Sequence, residues 1–129
     1  MMGMDVMGNA KKILVADDDR QMQETIAVRL EIGGYTVITA QDGEEALQMA
    51  REGKPDLIIM DLMMPKMTGY EACQMLKFDE ACKHIPIIVL SALDRQDERE
   101  KAIASGAESC FVKPFDLGLL VEKVRQLVG

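Results

Sequence analysis

Leu57-Ile58-Ile59-Met60-Asp61 is the stretch that decides the fold. Four apolar side chains in unbroken succession leave no polar face, so a strand built from them must be covered on both sides; a strand with one wet face would alternate instead. The run stops at an acid. Shortly after it, Thr68 and Glu71 stand three apart, the capping-box spacing that marks the start of a helix.

Working outward, the same unit recurs. β-branched or aliphatic runs occupy residues 13–16, 35–39, 87–90 and, less strongly, 110–112, with segments of helical period between them. Asp42 with Glu45 and Asp97 with Glu100 repeat the cap spacing, while Gly33-Gly34, Gly53 ahead of Pro55, and Gly106 supply the stops. The last segment carries Leu117, Leu120, Val121, Val124, Leu127 and Val128, an apolar stripe that must face a core. Strand and helix thus alternate five times. Right-handed crossovers turn that order into an α/β, (βα)5 doubly wound parallel sheet with the flavodoxin-like strand order 2-1-3-4-5.

The bulk properties agree with one domain. The chain has 129 residues, 48% of them hydrophobic, and 15 basic against 22 acidic side chains give a net charge of −7. Such a charge repels a phosphate backbone, and five aromatic residues without a tryptophan offer few stacking platforms, so direct nucleic-acid and glycan binding are not expected. Cys73, Cys82 and Cys110 are odd in number and form no CxxC pair, which speaks for reduced thiols and a cytoplasmic setting rather than a disulfide framework. No apolar run is long enough to span a membrane, and residues 1–10 lack the pattern of a signal peptide. Those ten residues read as a disordered tail ahead of a domain at 11–129.

In such a sheet function gathers at the carboxyl ends of the strands, at the switch point between the first and third. Asp17-Asp18-Asp19 follows the first run and Asp61 closes the third. Neighbouring strands lie about 4.8 Å apart, and two carboxylates at about 4 Å repel by roughly 4 kcal/mol at an effective dielectric near 20. That demands a cation or a protonated member. An oxygen-only donor set left open to water and phosphate suits Mg²⁺. Asp19 reads as an ordinary N-cap for a helix starting near Arg20. Ser91 and Lys113 end the fourth and fifth runs at the same rim, whereas the single His84 lies in a loop toward the opposite end, a surface residue. Carboxylates, a hydroxyl and an ammonium are the parts of phosphoryl transfer, in which positioning and charge neutralisation dominate. No GxxxxGK[ST] loop holds a nucleotide, so the donor must bring its phosphoryl group already activated.

Ile13-Leu14-Val15-Ala16-Asp17-Asp18-Asp19, Asp61-Leu62-Met63-Met64-Pro65-Lys66-Met67-Thr68-Gly69, Ser91-Ala92 and Phe111-Val112-Lys113-Pro114-Phe115 together resemble the signature blocks of the response-regulator receiver domain, in order and over residues 11–128. The resemblance implies that Asp61 is a phosphoacceptor that attacks the phosphohistidine of a sensor kinase or phosphotransfer protein. It implies Mg²⁺ held by Asp18 directly, by Asp17 mainly through water, and by Asp61 and the backbone carbonyl of Met63. Ser91 and Lys113 would hold the phosphoryl oxygens, Ala92 would keep the access path open, and the Lys113-Pro114 bond would be cis. Output would pass to a downstream protein through helix four, at about 96–105, strand five and helix five, with no output domain in the chain and no membrane contact.

Three positions qualify this picture. Cys110 stands where such domains often carry the Tyr or Phe that rotates on activation. Met63 and Leu93 flank the expected phosphoryl position and are apolar, so they cannot orient a water, and slow self-dephosphorylation is expected. Two rival readings exist. The Asp17-x-Asp19 pair also resembles the haloacid-dehalogenase-type phosphatases, and a receiver-like module could bind partners without phosphorylation.

Overall fold

The computed structural model describes residues 10–93 and 95–129, so the reading of 1–10 as a tail lies, but for Ala10, outside the described residues. Strands and helices alternate as β1 (Lys12–Ala16), α1 (Arg20–Ile32), β2 (Thr36–Ala40), α2 (Gly43–Gly53), β3 (Leu57–Asp61), α3 (Gly69–Phe78), β4 (Ile87–Ser91), α4 (Gln96–Ala104), β5 (Ser109–Val112) and α5 (Leu117–Val128). All strand pairings are parallel, in the order β2-β1-β3-β4-β5 expected from the sequence.

The sheet is covered on both faces, as the run at 57–60 requires. Leu14, Ala16, Ile58, Met60, Ile87 and Val89 point to one face and pack on α2, α3 and α4 through Ala46, Leu47, Ala50, Ala72, Cys73, Leu76 and Ala102. Ile13, Val15, Leu57, Ile59, Ile88 and Leu90 point to the other and meet Ile26 and Leu30 of α1 and Leu120 and Val124 of α5. Strand alternation sends successive residues to opposite faces, and both faces are apolar, so the three central strands contain almost no polar residue before their last position.

Local signals largely held. Asp42 caps α2 by accepting from Glu45 N, and Thr68 with Glu71 forms a full capping box on α3. Gly34 and Gly106 adopt the left-handed backbone, with φ of 98° and 108°, that a helix stop favours. Four readings need correction. Asp97 does not cap α4: Arg95 occupies the extended cap position with no side-chain capping bond, and Asp97, already inside the first turn, accepts from Glu98 N at 3.0 Å and pairs with Arg95 Nη2 at 3.2 Å. After α2 the left-handed residue is Lys54 (φ 49°), not Gly53, which ends the helix itself and whose missing side chain leaves room for Ile38. β2 starts at Thr36 rather than 35, because Tyr35 N still donates to Leu30 O in the turn that closes α1. α4 ends at Ala104, one residue short of 105, with Ser105 as its C-cap.

One close approach fixes the loop after β3. Gly69 N donates to Leu62 O at 2.9 Å. A Cβ on Gly69 would lie 2.5 Å from Asp61 O and 2.8 Å from Leu62 Cα, contacts with backbone that cannot give way. Only glycine lets α3 begin this close to the end of β3.

Candidate functional site

The pairing register brings two acids together. β1 and β3 pair from Ile13↔Leu57 to Ala16↔Met60, so Asp17 and Asp61 occupy the next rung and project to the same face. Asp17 is fully buried and Asp61 is 6% exposed. Asp17 N donates to Ala40 O at 3.0 Å, carrying the β1–β2 ladder one residue further. Its Oδ1 accepts from Asp19 N at 2.9 Å, and Asp61 Oδ1 accepts from Met63 N at 3.2 Å. Asp18 is exposed, yet it offers an oxygen within 4.8 Å of one from each of the other two acids.

Lys113 answers this charge from two strands away. Its amide donates to Ser91 O at 2.7 Å, which holds the end of β5 against β4. From there its side chain reaches back over β4, placing Nζ 2.9 Å from Asp61 Oδ2 and 3.4 Å from Asp17 Oδ2. The Lys113-Pro114 peptide bond is cis. Burial works against the ammonium, but its bonds and charge contacts with Asp61 and Asp17 outweigh that and hold the Lys113 pKa above the ordinary value. It therefore stays charged.

Burial is the main cause that pushes Asp17 up to about 6. The Asp61 carboxylate adds to the rise, while the Asp19 amide and Lys113 oppose it. Three carboxylates against one ammonium leave a surplus of negative charge that the described residues do not neutralise. The donors are all oxygen, two of the acids are buried, and the third is open to solvent. That set fits a hard divalent cation which keeps part of its water.

Of the residues singled out in the sequence, Asp17, Asp18, Asp61 and Lys113 converge. Ser91 lies at the same rim, nearly buried, but its hydroxyl is turned away from the acids: Oγ donates to Leu93 O at 3.1 Å and accepts from Leu93 N at 3.0 Å. Met63 and Leu93 place exposed apolar side chains at the rim, and Ala92 is also exposed. Asp19 is spent on α1, its Oδ1 accepting from Gln21 N at 3.0 Å and Met22 N at 3.2 Å. This removes the second acid that an Asp-x-Asp phosphatase needs. His84 is exposed in the loop ahead of β4, at the far end of the sheet.

Sequence reasoning missed Gln23. From α1 its Nε2 donates to Asp17 O at 3.2 Å and Ala40 O at 2.8 Å, pinning the corner that carries Asp17. The signal was an amide at a buried position of the stripe that continues with Ile26 and Leu30.

Comparison with known proteins places these features in a family. The model of the response regulator receiver domain matches residues 13–125. The chain belongs to that family, the signalling domain of two-component systems. In sequence it is 38% identical over 117 residues to the DNA-binding dual master transcriptional regulator RpaA of Synechocystis, covering 91% of this chain and 48% of that protein. The chain spans about half the length of the curated relatives it matches. In structure it resembles the receiver domain of the Francisella response regulator 1452, with a TM-score of 0.87, 33% identity, and coverage of 92% and 96% of the two chains. It also resembles the receiver domain of sensor histidine kinase PA1611 from Pseudomonas aeruginosa, solved with a magnesium ion in its active-site cleft: TM-score 0.85, 30% identity, coverage 93% and 98%. Among the described residues no helix is long and apolar enough to cross a membrane.

The buried acid has a measurable cost. Because the folded pKa of Asp17, about 6, lies above the 3.8 of an ordinary aspartate, the native state holds the extra proton between those values. Stability therefore falls as pH rises through that window, and the penalty persists above it. Without divalent ions, Asp17→Asn should be more stable than wild type at pH 7 by about 1–3 kcal/mol, with the advantage gone below the lower bound of the window. Urea unfolding at both pH values measures this.

Proposed function

We propose that this receiver domain accepts a phosphoryl group on Asp61 from the phosphohistidine of a sensor kinase or phosphotransfer protein, with Mg²⁺ as cofactor, and passes the signal on through α4, β5 and α5. The observation that carries the reading is the Lys113 ammonium 2.9 Å from Asp61 Oδ2, at a rim where three carboxylates offer oxygens within 4.8 Å of one another.

Asp61 supplies the attacking oxygen, forming the new O–P bond as the P–N bond to the donor imidazole breaks. Asp18, Asp17 through water, Asp61 and the Met63 carbonyl would hold the metal, which supplies charge neutralisation at the phosphoryl oxygens. Lys113 is already beside Asp61 and keeps its proton, so it meets the incoming dianion as a fixed positive charge. Ser91 must give up Leu93 before its hydroxyl can donate to a phosphoryl oxygen. The Asp61 site carries out one transfer per chain, and the domain works as a switch rather than by turnover on a substrate.

Direct contact with nucleic acid is not part of this reading, because a net charge of −7 opposes it. DNA binding is named for the whole of RpaA, of which this chain covers less than half. A cytoplasmic setting suits the three free thiols and the proposed donor.

With acetyl phosphate and Mg²⁺, intact-mass analysis should find one phosphoryl adduct per wild-type chain, none on Asp61→Asn, and none after chelation. An adduct that survives on Asp61→Asn contradicts the assignment. Met63→Asn combined with Leu93→Glu should shorten the adduct's lifetime by about tenfold or more, as polar groups there can orient a water; decay followed by mass measures it, and an unchanged lifetime contradicts the role given to those two side chains.

A further inference from the structure

Of the five helices α4 has the least to hold it. Ala102 is its one buried residue, and no side chain caps its N-terminus. Ala102 shares a core with Ala72, Cys73 and Leu76 of α3, Cys73 Sγ donates to Ser105 O at the C-cap of α4, and two further side chains of α4 meet α3 at one residue. Tyr70 donates its hydroxyl proton to the Glu98 carboxylate. Lys101 Nζ lies 4.3 Å from the centroid of the Tyr70 ring, a cation–π contact.

Tyr70 is anchored to the reacting end of the sheet. It follows Gly69, whose backbone is pressed against Asp61 O and Leu62 Cα so closely that no Cβ fits. The backbone that carries the ring therefore starts from a point held against the end of β3. On the opposite side, β4 leads through Ser91, the closed Ser91–Leu93 turn, and Arg95 into α4. If Ser91 swings its hydroxyl toward Asp61, it must release both Leu93 groups, and the loop thus freed is the one that carries α4. The Tyr70–Glu98 bond spans the fixed side, β3–α3, and the side that has to give, β4–α4. Cys110 of β5 packs on the same core as Tyr70 and, being small and half-buried, leaves the ring its place. Burial first, then the Glu98 carboxylate, push the Tyr70 pKa above its ordinary value, so the hydroxyl remains a donor at neutral pH.

We propose that Tyr70 is a positioning residue for phosphoryl acceptance: by holding Glu98 and Lys101 it keeps α4 and the Ser91–Leu93 turn in the resting arrangement, and it parts from Glu98 when Ser91 turns toward Asp61. The proposal rests on the phosphoacceptor reading of Asp61. It makes the latch a brake on the active arrangement, so breaking it favours occupancy of the site.

The experiment uses the full chain with beryllofluoride and Mg²⁺ as the probe, and hydrogen exchange of residues 96–104 in the free protein. Tyr70→Phe and Glu98→Ala should each speed exchange in α4. Each should also tighten beryllofluoride binding by about three- to tenfold, the scale of one net hydrogen bond. Glu98→Gln, whose amide oxygen can still accept from the hydroxyl, should stay near wild type in both. A side chain that merely packs would speed exchange while leaving beryllofluoride binding unchanged or weaker, and that result overturns the proposal, as does unchanged exchange. Glu98→Ala keeps the test decisive if Tyr70→Phe does not fold. Failure of the wild-type chain to bind beryllofluoride would overturn the phosphoacceptor reading together with the proposal. Equal binding by wild type and variants would overturn the proposal alone.

Discussion

Asp17 and Asp61 sit buried on adjacent strands at the same rung and share a single ammonium, that of Lys113. The parallel register makes this arrangement unavoidable, because a pair of residues one step past Ala16↔Met60 must project to the same face. Burial is the main reason that Asp17 holds its proton to about pH 6, and the neighbouring acid adds to it. The fold tolerates such a site because its central strands are buried on both faces by uninterrupted apolar packing. A locally unfavourable cluster set into an otherwise consistent core is the pattern expected of a functional site. What relieves it is positive charge, supplied in part by Lys113 and in the proposed cycle by a metal ion, before an incoming phosphoryl group adds charge of its own.

The surroundings of the cluster divide into two parts of unequal stiffness. β3 and the start of α3 are locked together at Gly69, where backbone meets backbone. β4 hands over to α4 through a turn closed by a serine hydroxyl, and α4 buries little and lacks a side-chain cap. A change of charge at Asp61 therefore meets one neighbour that cannot move and one that can, and the second leads to the surface where α4 adjoins β5. This asymmetry follows from a glycine, a serine and a poorly buried helix.

The parts legible in the sequence are those whose cause is local or periodic. Residues 57–60 announced a strand covered on both faces, and Thr68 with Glu71 announced the start of α3, because each pattern has one physical reading. Strand ends alone place Asp17, Asp18, Asp61, Ser91 and Lys113 at one rim. β5 was the faintest of the strands because it is a sheet edge whose residues are all half-buried. Asp97 was misread because cap spacing alone does not say where the chain leaving β4 first reaches helical geometry. Gln23 left only a faint mark, an amide in an apolar stripe, and Tyr70 left none: their roles depend on partners as far as 17 and 28 residues away in sequence. The same holds for the direction of the Ser91 hydroxyl, which depends on the turn it closes.

The central claim is that a cation relieves the buried acids, and proton release on Mg²⁺ binding tests it most directly. Calorimetric titration near pH 6, in buffers of different ionisation heat, should show a substantial fraction of a proton leaving the protein as Mg²⁺ binds. That release should vanish at pH 8, and also in Asp17→Asn. Mg²⁺ binding with no proton release near pH 6, or no binding at all, would contradict the account.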